Sequence, residues 1–246
     1  TNPTIGVFTI PAKIFGDASF NLTAPTSDSS GAFVFSSNTP TVATVTSGGI
    51  VTVVGAGSAT ITATQDACGN FTSGLTTASL VVSPIAPTYQ SISQITKTYS
   101  TDVSFSLTSV MSGVSSSPGA YTFSSTSAEI DICGGVATIL AYTPSAITIT
   151  ATQAASDNYT ASSTTFALLV NRKVPSYGAF SVPAATYEDV PFSIAPYAPT
   201  TDSTGVPFTY TSSEPTVATI NSDGTVITII GQGYTTITAS QAAGGN

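Results

Sequence analysis

Apolar residues alternate with threonine and serine along several short stretches of this chain, and one such stretch occurs three times. Residues Ile61–Gln65 read ITATQ, the same five letters return at Ile149–Gln153, and Ile237–Gln241 differ only by a serine. The copies are 88 residues apart (149 − 61 = 88 and 237 − 149 = 88). A fixed period of this size indicates one structural unit repeated three times. Because alternation with period two sends Ile and Ala to one face, we predict a half-buried β-strand.

Other short apolar stretches recur in a constant order around this strand. A first strand is predicted at Val7–Pro11 and, in the third copy, at Ala179–Pro183. The Gly48-Gly49 pair between Thr41–Val45 and Ile50–Val54 predicts a hairpin. About seven short strands separated by frequent turns are typical of a β-sandwich. No stretch has a helical period, so the chain is predicted to be all-β.

Proline-containing joints divide the chain between the copies. Ser83–Pro87 and Asn171–Pro175 each carry proline, which stiffens a linker. We therefore predict three domains, at residues 1–84, 85–173 and 174–246, which are called repeats 1, 2 and 3 below. An odd number of strands puts the entry and exit of a sandwich at opposite ends, so the three domains are predicted to form a rod.

The third repeat is predicted to lack its last strand. Residues Gln241–Asn246 correspond to Gln65–Asn70, and the sequence stops before a counterpart of Ala78–Val82. An open sheet edge exposes unpaired backbone groups, which proteins usually cover. Two expectations follow: the chain continues, or a strand from another chain completes the sheet by β-augmentation.

The stretch Ser36–Thr64, SSNTPTVATVTSGGIVTVVGAGSATITAT, resembles the bacterial immunoglobulin-like group 2 domain. The shared features are a VATV strand, a glycine turn, a VT strand, a glycine-rich bend and a closing ATITAT. Ser212–Ser240 matches nearly as well, whereas repeat 2 departs from the pattern at Ala128–Cys133 and Tyr142–Pro144. The resemblance implies tandem Ig-like domains, as in bacterial surface adhesins and in phage and large-virus structural proteins. There they act as stalks, spacers or binding modules, with no catalytic residues to transfer.

The composition restricts the classes of partner. Charged residues are 7% of the chain and the formal net charge is −8, with only four basic residues. Serine and threonine, roughly a third of the residues, must supply the polar surface. Such a small number of basic residues argues against binding to nucleic acid or anionic lipid. No apolar run approaches the roughly 20 residues needed to cross a membrane. We predict a protein that is extracellular, on a cell surface or on a virion surface.

Catalytic chemistry has little support. The chain has no histidine and only two cysteines. The usual transition-metal sites are therefore missing, and so is the histidine that commonly acts as the base for a nucleophilic Ser or Cys. The acidic pairs Glu129/Asp131 and Glu188/Asp189 are candidates for glycoside chemistry, but neither pair recurs in all repeats. The sequence therefore predicts no enzyme, no catalytic residue, no cofactor and no metal site.

Two further sets of residues have alternative interpretations. Asp17, Asp102 and Asp189 precede corresponding strands and either ligate Ca²⁺ or cap turns, and capping is favoured because no dense acidic loop occurs. Tyr187, Tyr197 and Tyr210 could form a sugar-stacking platform, but Tyr187 and Tyr210 align with phenylalanines of repeat 1 and are expected to pack. Only Tyr197 has no aromatic counterpart.

The cysteines and the N-glycosylation sequons complete the candidate sites. Cys68 and Cys133 lie in different repeats, and in a rod their sulfurs are expected about one domain apart, beyond the roughly 7 Å Cα limit for a disulfide. They are predicted to be free thiols, or to join neighbouring chains staggered by one domain. The sequons at Asn21, Asn70 and Asn158 permit glycosylation, and Asn70 and Asn158 occupy the same repeat position.

The sequence thus predicts a structural repeat protein that forms a fibre, stalk or filament with other copies of itself. The alternative is an adhesin segment whose domain-end loops, such as residues 24–31, bind a host glycan or protein.

Overall fold

The structure is a computed structural model that describes residues 1–244. It is nearly all β, with one four-residue α-helix and one short 3₁₀ helix, so the all-β prediction is confirmed. The chain divides into two compact units. Unit 1 comprises Thr1–Lys97, Asp102–Leu140 and Ser145–Leu169, and unit 2 comprises Thr98–Thr101, Ala141–Pro144 and Val170–Asn246.

Repeat 1 forms two facing sheets. Its strands are β1 (Lys13–Ile14), β2 (Phe20–Asn21), β3 (Phe33–Ser37), β4 (Ala43–Val45), β5 (Ile50–Val53), β6 (Gly57–Gln65) and β7 (Gly74–Ser83). One sheet has the order β1-β7-β6-β3 and the other the order β2-β5-β4. The β6–β7 ladder is antiparallel over nine residue pairs, whereas β1 runs parallel to β7.

The core of repeat 1 lies between these sheets. Ile61 on β6 and Leu80 on β7 are fully buried, and they meet Ala43 and Val51 from the opposite sheet. Their neighbours in sequence on β6, Thr60 and Thr62, are only partly buried. The alternation of apolar and hydroxyl side chains therefore defines the inner and outer face of the sheet, as predicted for a sandwich.

Repeat 2 repeats this topology. Its strands are β8 (Ile95–Thr98), β9 (Ser104–Ser106), β10 (Tyr121–Ser124), β11 (Ile130–Cys133), β12 (Val136–Ile139), β13 (Ile147–Gln153) and β14 (Ser162–Asn171). Their orders are β10-β13-β14-β8 and β11-β12-β9. Strand β9 ends at Ser106, because helix α1 (Leu107–Val110) begins at the next residue. The Ser106 side chain accepts a hydrogen bond from the Ser109 N–H, which caps that helix.

Repeat 3 has five strands in its described part. They are β15 (Phe192–Ser193), β16 (Phe208–Ser212), β17 (Ala218–Ile220), β18 (Val226–Ile229) and β19 (Ile237–Gln241), with a 3₁₀ helix at Ala195–Tyr197. The orders are β16-β19 and β15-β18-β17. Within residues 1–244 nothing corresponds to β7 or β14, as predicted from the sequence.

The first strand was predicted at the wrong position. Val7–Pro11 does not form a strand, and the first ladder of the sheet forms at Lys13–Ile14 instead. Gly6 donates to the Thr26 carbonyl at 2.8 Å, while two residues after Pro11 the chain already pairs with β7. The segment passes from Thr26 to β7 and places Phe8 in the core. Pro11 has no N–H to donate to a ladder. Ala179–Pro183 is likewise not a strand.

Candidate interaction sites

A buried glutamine ends the anchor strand of each of the first two repeats. Gln65 and Gln153 are 1% exposed. The Gln65 amide nitrogen donates to the carbonyls of Ser29 and Gly31 at 3.0 and 2.8 Å, and its oxygen accepts from the Ser27 hydroxyl at 2.7 Å. A buried amide needs such partners, because an unsatisfied one destabilises the fold. The glutamine therefore pins the loop that precedes β3 to the end of β6.

The same network occurs in repeat 2. The Gln153 amide nitrogen donates to Ser117 and Gly119, at 2.9 and 2.8 Å, and its oxygen accepts from the Ser115 hydroxyl at 2.7 Å. Repeat 3 has a reduced version, in which half-buried Gln241 bonds to Thr201 and to the Val206 carbonyl. This role was not predicted from the sequence, although a glutamine falls three times on the inward face of the strand.

A second side chain ties the start of repeats 1 and 3 to this same loop. The carboxylates of Asp28 and Asp202 accept from the backbone N–H of Thr4 and Ser176, at 2.7 and 2.8 Å. Asp202 also binds the Lys173 ammonium at 2.7 Å and the Ser176 hydroxyl at 2.9 Å. The hydrogen bond from Lys173, followed by those from Ser176, lowers the pKa of Asp202 to about 2. This loop is therefore bonded both to the glutamine and to the first residues of its repeat.

Repeats 1 and 2 meet in a specific joint inside unit 1. The Asn158 side-chain oxygen accepts from the Ala56 N–H at 2.8 Å. The Phe15 and Tyr159 rings pack edge-to-face with centroids 5.7 Å apart. Ile85, which follows β7, donates to the Asn158 carbonyl and accepts from the Thr160 N–H. The loop of repeat 2 is thus bonded both to the linker and to the preceding repeat.

The sequons differ in their surroundings. Asn21 and Asn70 are exposed, whereas Asn158 is half-buried in the joint. The counterpart of Asn70 in repeat 3, Asn246, lies outside the described residues. Glycosylation at Asn21, Asn70 and Asn158 stays a prediction.

The two cysteines are exposed free thiols in unit 1. Cys68 lies in a turn closed by its backbone bonds to Phe71, and its sulfur is 3.4 Å from the Ser30 hydroxyl. Cys133 ends β11, immediately before the Gly134-Gly135 turn. An interchain bond between Cys68 and Cys133 stays a prediction.

The aspartates before the second strand have local partners. Asp17 accepts from the Ile14 N–H at 3.2 Å and Asp189 from the Thr186 N–H at 2.7 Å, which is the geometry of a turn cap. Asp102 forms an ion pair with Lys97 at 3.6 Å. Among residues 1–244, no group of three or more His, Cys, Asp or Glu side chains is arranged to hold a metal ion.

The acidic pairs are placed differently from one another. Glu129 is half-buried and accepts from the Ser127 hydroxyl, and this hydrogen bond lowers the pKa of Glu129. Asp131 is exposed on β11. Glu188 and Asp189 are both exposed on the segment before β15. A glycosidase acid needs a raised pKa, so the shift of Glu129 has the opposite direction from that role.

Two family comparisons match separate parts of the chain. Residues 17–76 match the bacterial Ig-like domain (group 2), and residues 199–243 match the immunoglobulin-like domain of intimin. Two segments of the chain are therefore similar to bacterial Ig-like domains. Domains of these two families are typical of surface adhesins and structural proteins, and they are generally non-enzymatic. No curated protein gives a significant match to the chain.

The solved structures that match the chain are distant in sequence. Sidekick-1 immunoglobulin domains 1–5 match with 10% identity and a TM-score of 0.37, covering 93% of this chain and 53% of that one. Drosophila N-cadherin EC1-3 matches with 11% identity and a TM-score of 0.35, covering 96% and 98%. Domains 1–6 of the surface layer protein SbsC match with 13% identity and a TM-score of 0.27, covering 98% and 40%.

The tyrosines of the third Ig-like repeat do not share one environment. Tyr210 packs against Phe180 with centroids 5.8 Å apart, and burial raises its pKa. Tyr197 packs edge-to-face on Phe192 at 6.2 Å. Tyr187 is 50% exposed, so its predicted packing role was wrong. The corresponding Phe15 is half-buried beside the end of β7, and no strand takes that place in the described part of repeat 3.

An open groove of about 780 Å³ runs along this third Ig-like repeat. Its lining includes Ile227 and Ile229 on β18, Thr235 and Ile237, and the segment 182–187, which ends in Tyr187. Tyr234, which is wholly exposed, stands at the rim and was not singled out from the sequence. No helix of the described Ig-like chain is long and apolar enough to cross a membrane.

Proposed function

We propose that this protein is a structural repeat protein of an extracellular or virion surface, which forms a fibre, stalk or filament by self-association. Its three Ig-like domains are proposed to occupy residues 1–84, 85–173 and 174–246. The observation that carries the proposal is the joint between repeats 1 and 2. A spacer must transmit position from one domain to the next, and a joint with its own hydrogen bond and ring contact does so better than a flexible linker.

A second contact of this kind lies inside unit 2. The Arg172 guanidinium stands 3.9 Å from the centroid of the Tyr142 ring and also donates to the Gly244 carbonyl. Arg172 belongs to the sequence that connects repeats 2 and 3. A cation over an aromatic ring with a further backbone bond restrains that connecting segment. The joint between repeats 1 and 2 and the segment that connects repeats 2 and 3 are therefore each restrained by side-chain contacts. Restrained connections of this kind support a stalk or fibre.

Self-association is supported by the surface of unit 1. Its outward strand faces carry Ser and Thr with few charges, so like-charge repulsion between copies is weak despite the net charge of −8. Cys68 and Cys133 add two exposed thiols at non-equivalent positions. A head-to-tail contact between non-equivalent surfaces generates open filaments when the rotation does not close.

Electron microscopy of the purified chain without reductant tests this function. We expect ordered linear polymers with an axial repeat related to the length of the chain. Separate monomers in sedimentation velocity over the whole accessible concentration range would contradict self-association.

The alternative function is an adhesin segment that binds a host glycan or protein. It is favoured by Tyr187 and Tyr234, which are 50% and 100% exposed, because exposed tyrosines are common in recognition surfaces. Glycan-array binding that is lost in Tyr234→Ala but kept in Tyr197→Ala would favour this alternative. Absence of binding to any glycan or host-surface protein would count against it.

A further inference from the structure

The loop that follows the second strand differs in length between repeats 1 and 2. It begins after Leu22 in repeat 1 and after Leu107 in repeat 2, because the N–H of each donates to a glycine carbonyl of the neighbouring hairpin turn. It ends at Ser27 and Ser115, whose hydroxyls donate to the buried glutamines. Four residues lie between these points in repeat 1 and seven in repeat 2. In repeat proteins, insertions into single repeats lie in loops on one face, which is often the binding face.

The longer loop of repeat 2, residues 108–114, is held in place by backbone hydrogen bonds. It contains most of helix α1, and the Val114 N–H closes the following turn by donating to the Met111 carbonyl at 3.2 Å. Gly113 has a φ of +71° in this turn, a conformation that favours glycine. The Gln90 N–H donates to the Val114 carbonyl at 2.8 Å, which ties the loop to the first residues of repeat 2. The side chains of the loop are therefore preorganised, which favours binding.

A cavity of about 460 Å³ lies beside this loop. The loop contributes Thr108, Met111 and Ser112 to its lining, and the residues at the start of β10 contribute Ala120 and Tyr121. All of the lining residues lie between positions 108 and 153, and none of those that the structure describes there is charged. The volume is in the range of roughly 300–1,000 Å³ that is usual for small-molecule sites. The cavity is therefore suited to an uncharged ligand.

The hydroxyl groups of this lining fall into two sets. Those of Ser115 and Ser117 stabilise the fold: the first donates to the Gln153 oxygen at 2.7 Å, and the second accepts from a backbone N–H of its own loop at 3.1 Å. Thr108 and Ser112 are exposed, and within residues 1–244 their hydroxyls have no hydrogen-bond partner. A hydroxyl can both donate and accept. The second set is therefore available to a ligand that carries hydroxyls of its own.

The Tyr121 hydroxyl is specific to repeat 2. Tyr121 pairs with the glutamine that ends β13, and in the same register Phe33 and Phe208 pair with the glutamines of repeats 1 and 3. The buried hydroxyl oxygens of Tyr121 and of Tyr89, which precedes Gln90, have no hydrogen-bond partner in the part of the chain that the structure describes. An unpaired buried hydroxyl destabilises a fold, so phenylalanine at position 121 would give the more stable repeat. The tyrosine therefore points to a role in binding.

We propose that this cavity of repeat 2 binds a neutral saccharide. An anionic or cationic ligand finds no opposite charge in the lining, and a purely apolar ligand would cover the hydroxyls of Thr108 and Ser112 without pairing them. A sugar matches both parts of the lining, because its hydroxyls pair with these two side chains and its C–H groups pack against Pro118 and Tyr121. The inference rests on the adhesin alternative given above and assigns its glycan site to repeat 2.

Amide chemical shifts of the whole chain test the site. Cellobiose and N,N′-diacetylchitobiose are the neutral probes, and digalacturonate is the acidic control. We expect at least one neutral probe to shift the amides of residues 108–121 and digalacturonate to leave them unchanged. The shorter loop of repeat 1, residues 23–26, should not respond to any probe. No shift at residues 108–121 with either neutral probe, equal shifts with digalacturonate, or equal shifts at residues 23–26 would overturn the proposal.

Variants of the lining test the role of its hydroxyls. The double variant Thr108→Val/Ser112→Ala removes the two available hydroxyls, and it should weaken binding of the neutral probe about tenfold or more. The matched control is Ser109→Ala, which lies on the same helix but outside the lining and should bind as the wild type does. Amide shifts at residues 147–153 report that each variant stays folded. Equal affinities of the double variant and the control would contradict the assignment.

Tyr121→Phe separates binding from stability. It keeps the aromatic ring and removes the unpaired hydroxyl, so we expect a higher thermal stability of repeat 2 together with probe binding that is weaker by about threefold or more. Unchanged affinity in this variant would overturn the binding role of the hydroxyl.

The same experiments distinguish failure of this site from failure of the adhesin alternative. A neutral probe that all of these variants bind as tightly as the wild type does would overturn the site and leave the adhesin alternative standing. No binding of either neutral probe, together with no binding on a glycan array, would contradict both.

Discussion

At the scale of single residues, the buried glutamines make the sharpest difference between repeats. The Gln65 side chain bonds to two carbonyls and one hydroxyl inside the protein, whereas within residues 1–244 the half-buried Gln241 side chain bonds to one carbonyl and one hydroxyl. A buried polar group that loses its partner carries the full cost of its desolvation. The stability of the loop before β3 should therefore depend strongly on Gln65. The stability of the corresponding loop of repeat 3 should depend less on Gln241.

Gln65→Leu should destabilise repeat 1 by about 2–4 kcal/mol, because two buried carbonyls would lose their donor. Native-state hydrogen exchange at the amides of β6 measures this change locally. The control is Gln241→Leu, which should have a smaller effect on β19 because water already reaches that side chain. Equal losses in the two repeats would show that burial of the amide is not the cause.

A second prediction at this scale concerns acid. The pKa of Asp202 is about 2 in the folded chain, below the ordinary value of 3.8. A lowered pKa means that the contribution to stability is complete above pH 3.8 and is lost as the pH falls towards 2. We expect the thermal stability of unit 2 to fall across this window. Asp202→Asn should flatten the fall, and Lys173→Met should reduce it partially. A pH dependence unchanged in Asp202→Asn would contradict this role.

These residue roles were only partly accessible from sequence. The recurrence of Gln65 on an inward position of a strand could have indicated a buried amide. Its partners lie 34 to 38 residues away in a serine-rich loop, where no periodic pattern exists. The pairing of Asp202 with Lys173 likewise joins a loop to a linker. Contacts of this kind arise only when the sheets bring distant loops together.

At the scale of the strands, prediction worked where a pattern was long enough. The anchor strands have five or more alternating residues, and they appear as β6, β13 and β19. β1 has only two residues, Lys13 and Ile14, which carry no pattern of their own. The apolar run Val7–Pro11 looked more like a strand, but its role is to carry Phe8 into the core while the chain changes partner. Short ladders depend on tertiary context more than on propensity.

The joint between repeats 1 and 2 yields a prediction at the same scale. Asn158→Ala removes the acceptor of the Ala56 N–H, and the loss of about 1 kcal/mol should speed exchange of that amide about fivefold. Asn70→Ala, at the same position of repeat 1, is the control, because the Asn70 side chain is exposed. We expect no change in Ala56 exchange for the control. An equally large effect of both substitutions would rule out the Asn158 bond as the cause.

At the scale of the whole molecule, the exposed thiols allow a test of contacts between copies. If Cys68 of one copy meets Cys133 of another, oxidised wild-type chain should run as a ladder on a non-reducing gel. Cys68→Ser and Cys133→Ser should each remain monomeric alone, and an equimolar mixture of the two should form dimers. Only monomer in the wild type, or dimers in a single variant, would contradict a staggered Cys68–Cys133 contact.

The parallel pairing of β1 with β7 also has a mechanical consequence. These strands lie near the start and the end of repeat 1, so a pulling force along the chain acts parallel to both strands and loads their hydrogen bonds together. Separating them requires simultaneous rupture, whereas an edge pulled from one end opens bond by bond. In single-molecule stretching, repeat 1 should therefore resist force until this parallel ladder breaks. Tension would thus be carried by the shortest strand of the sheet.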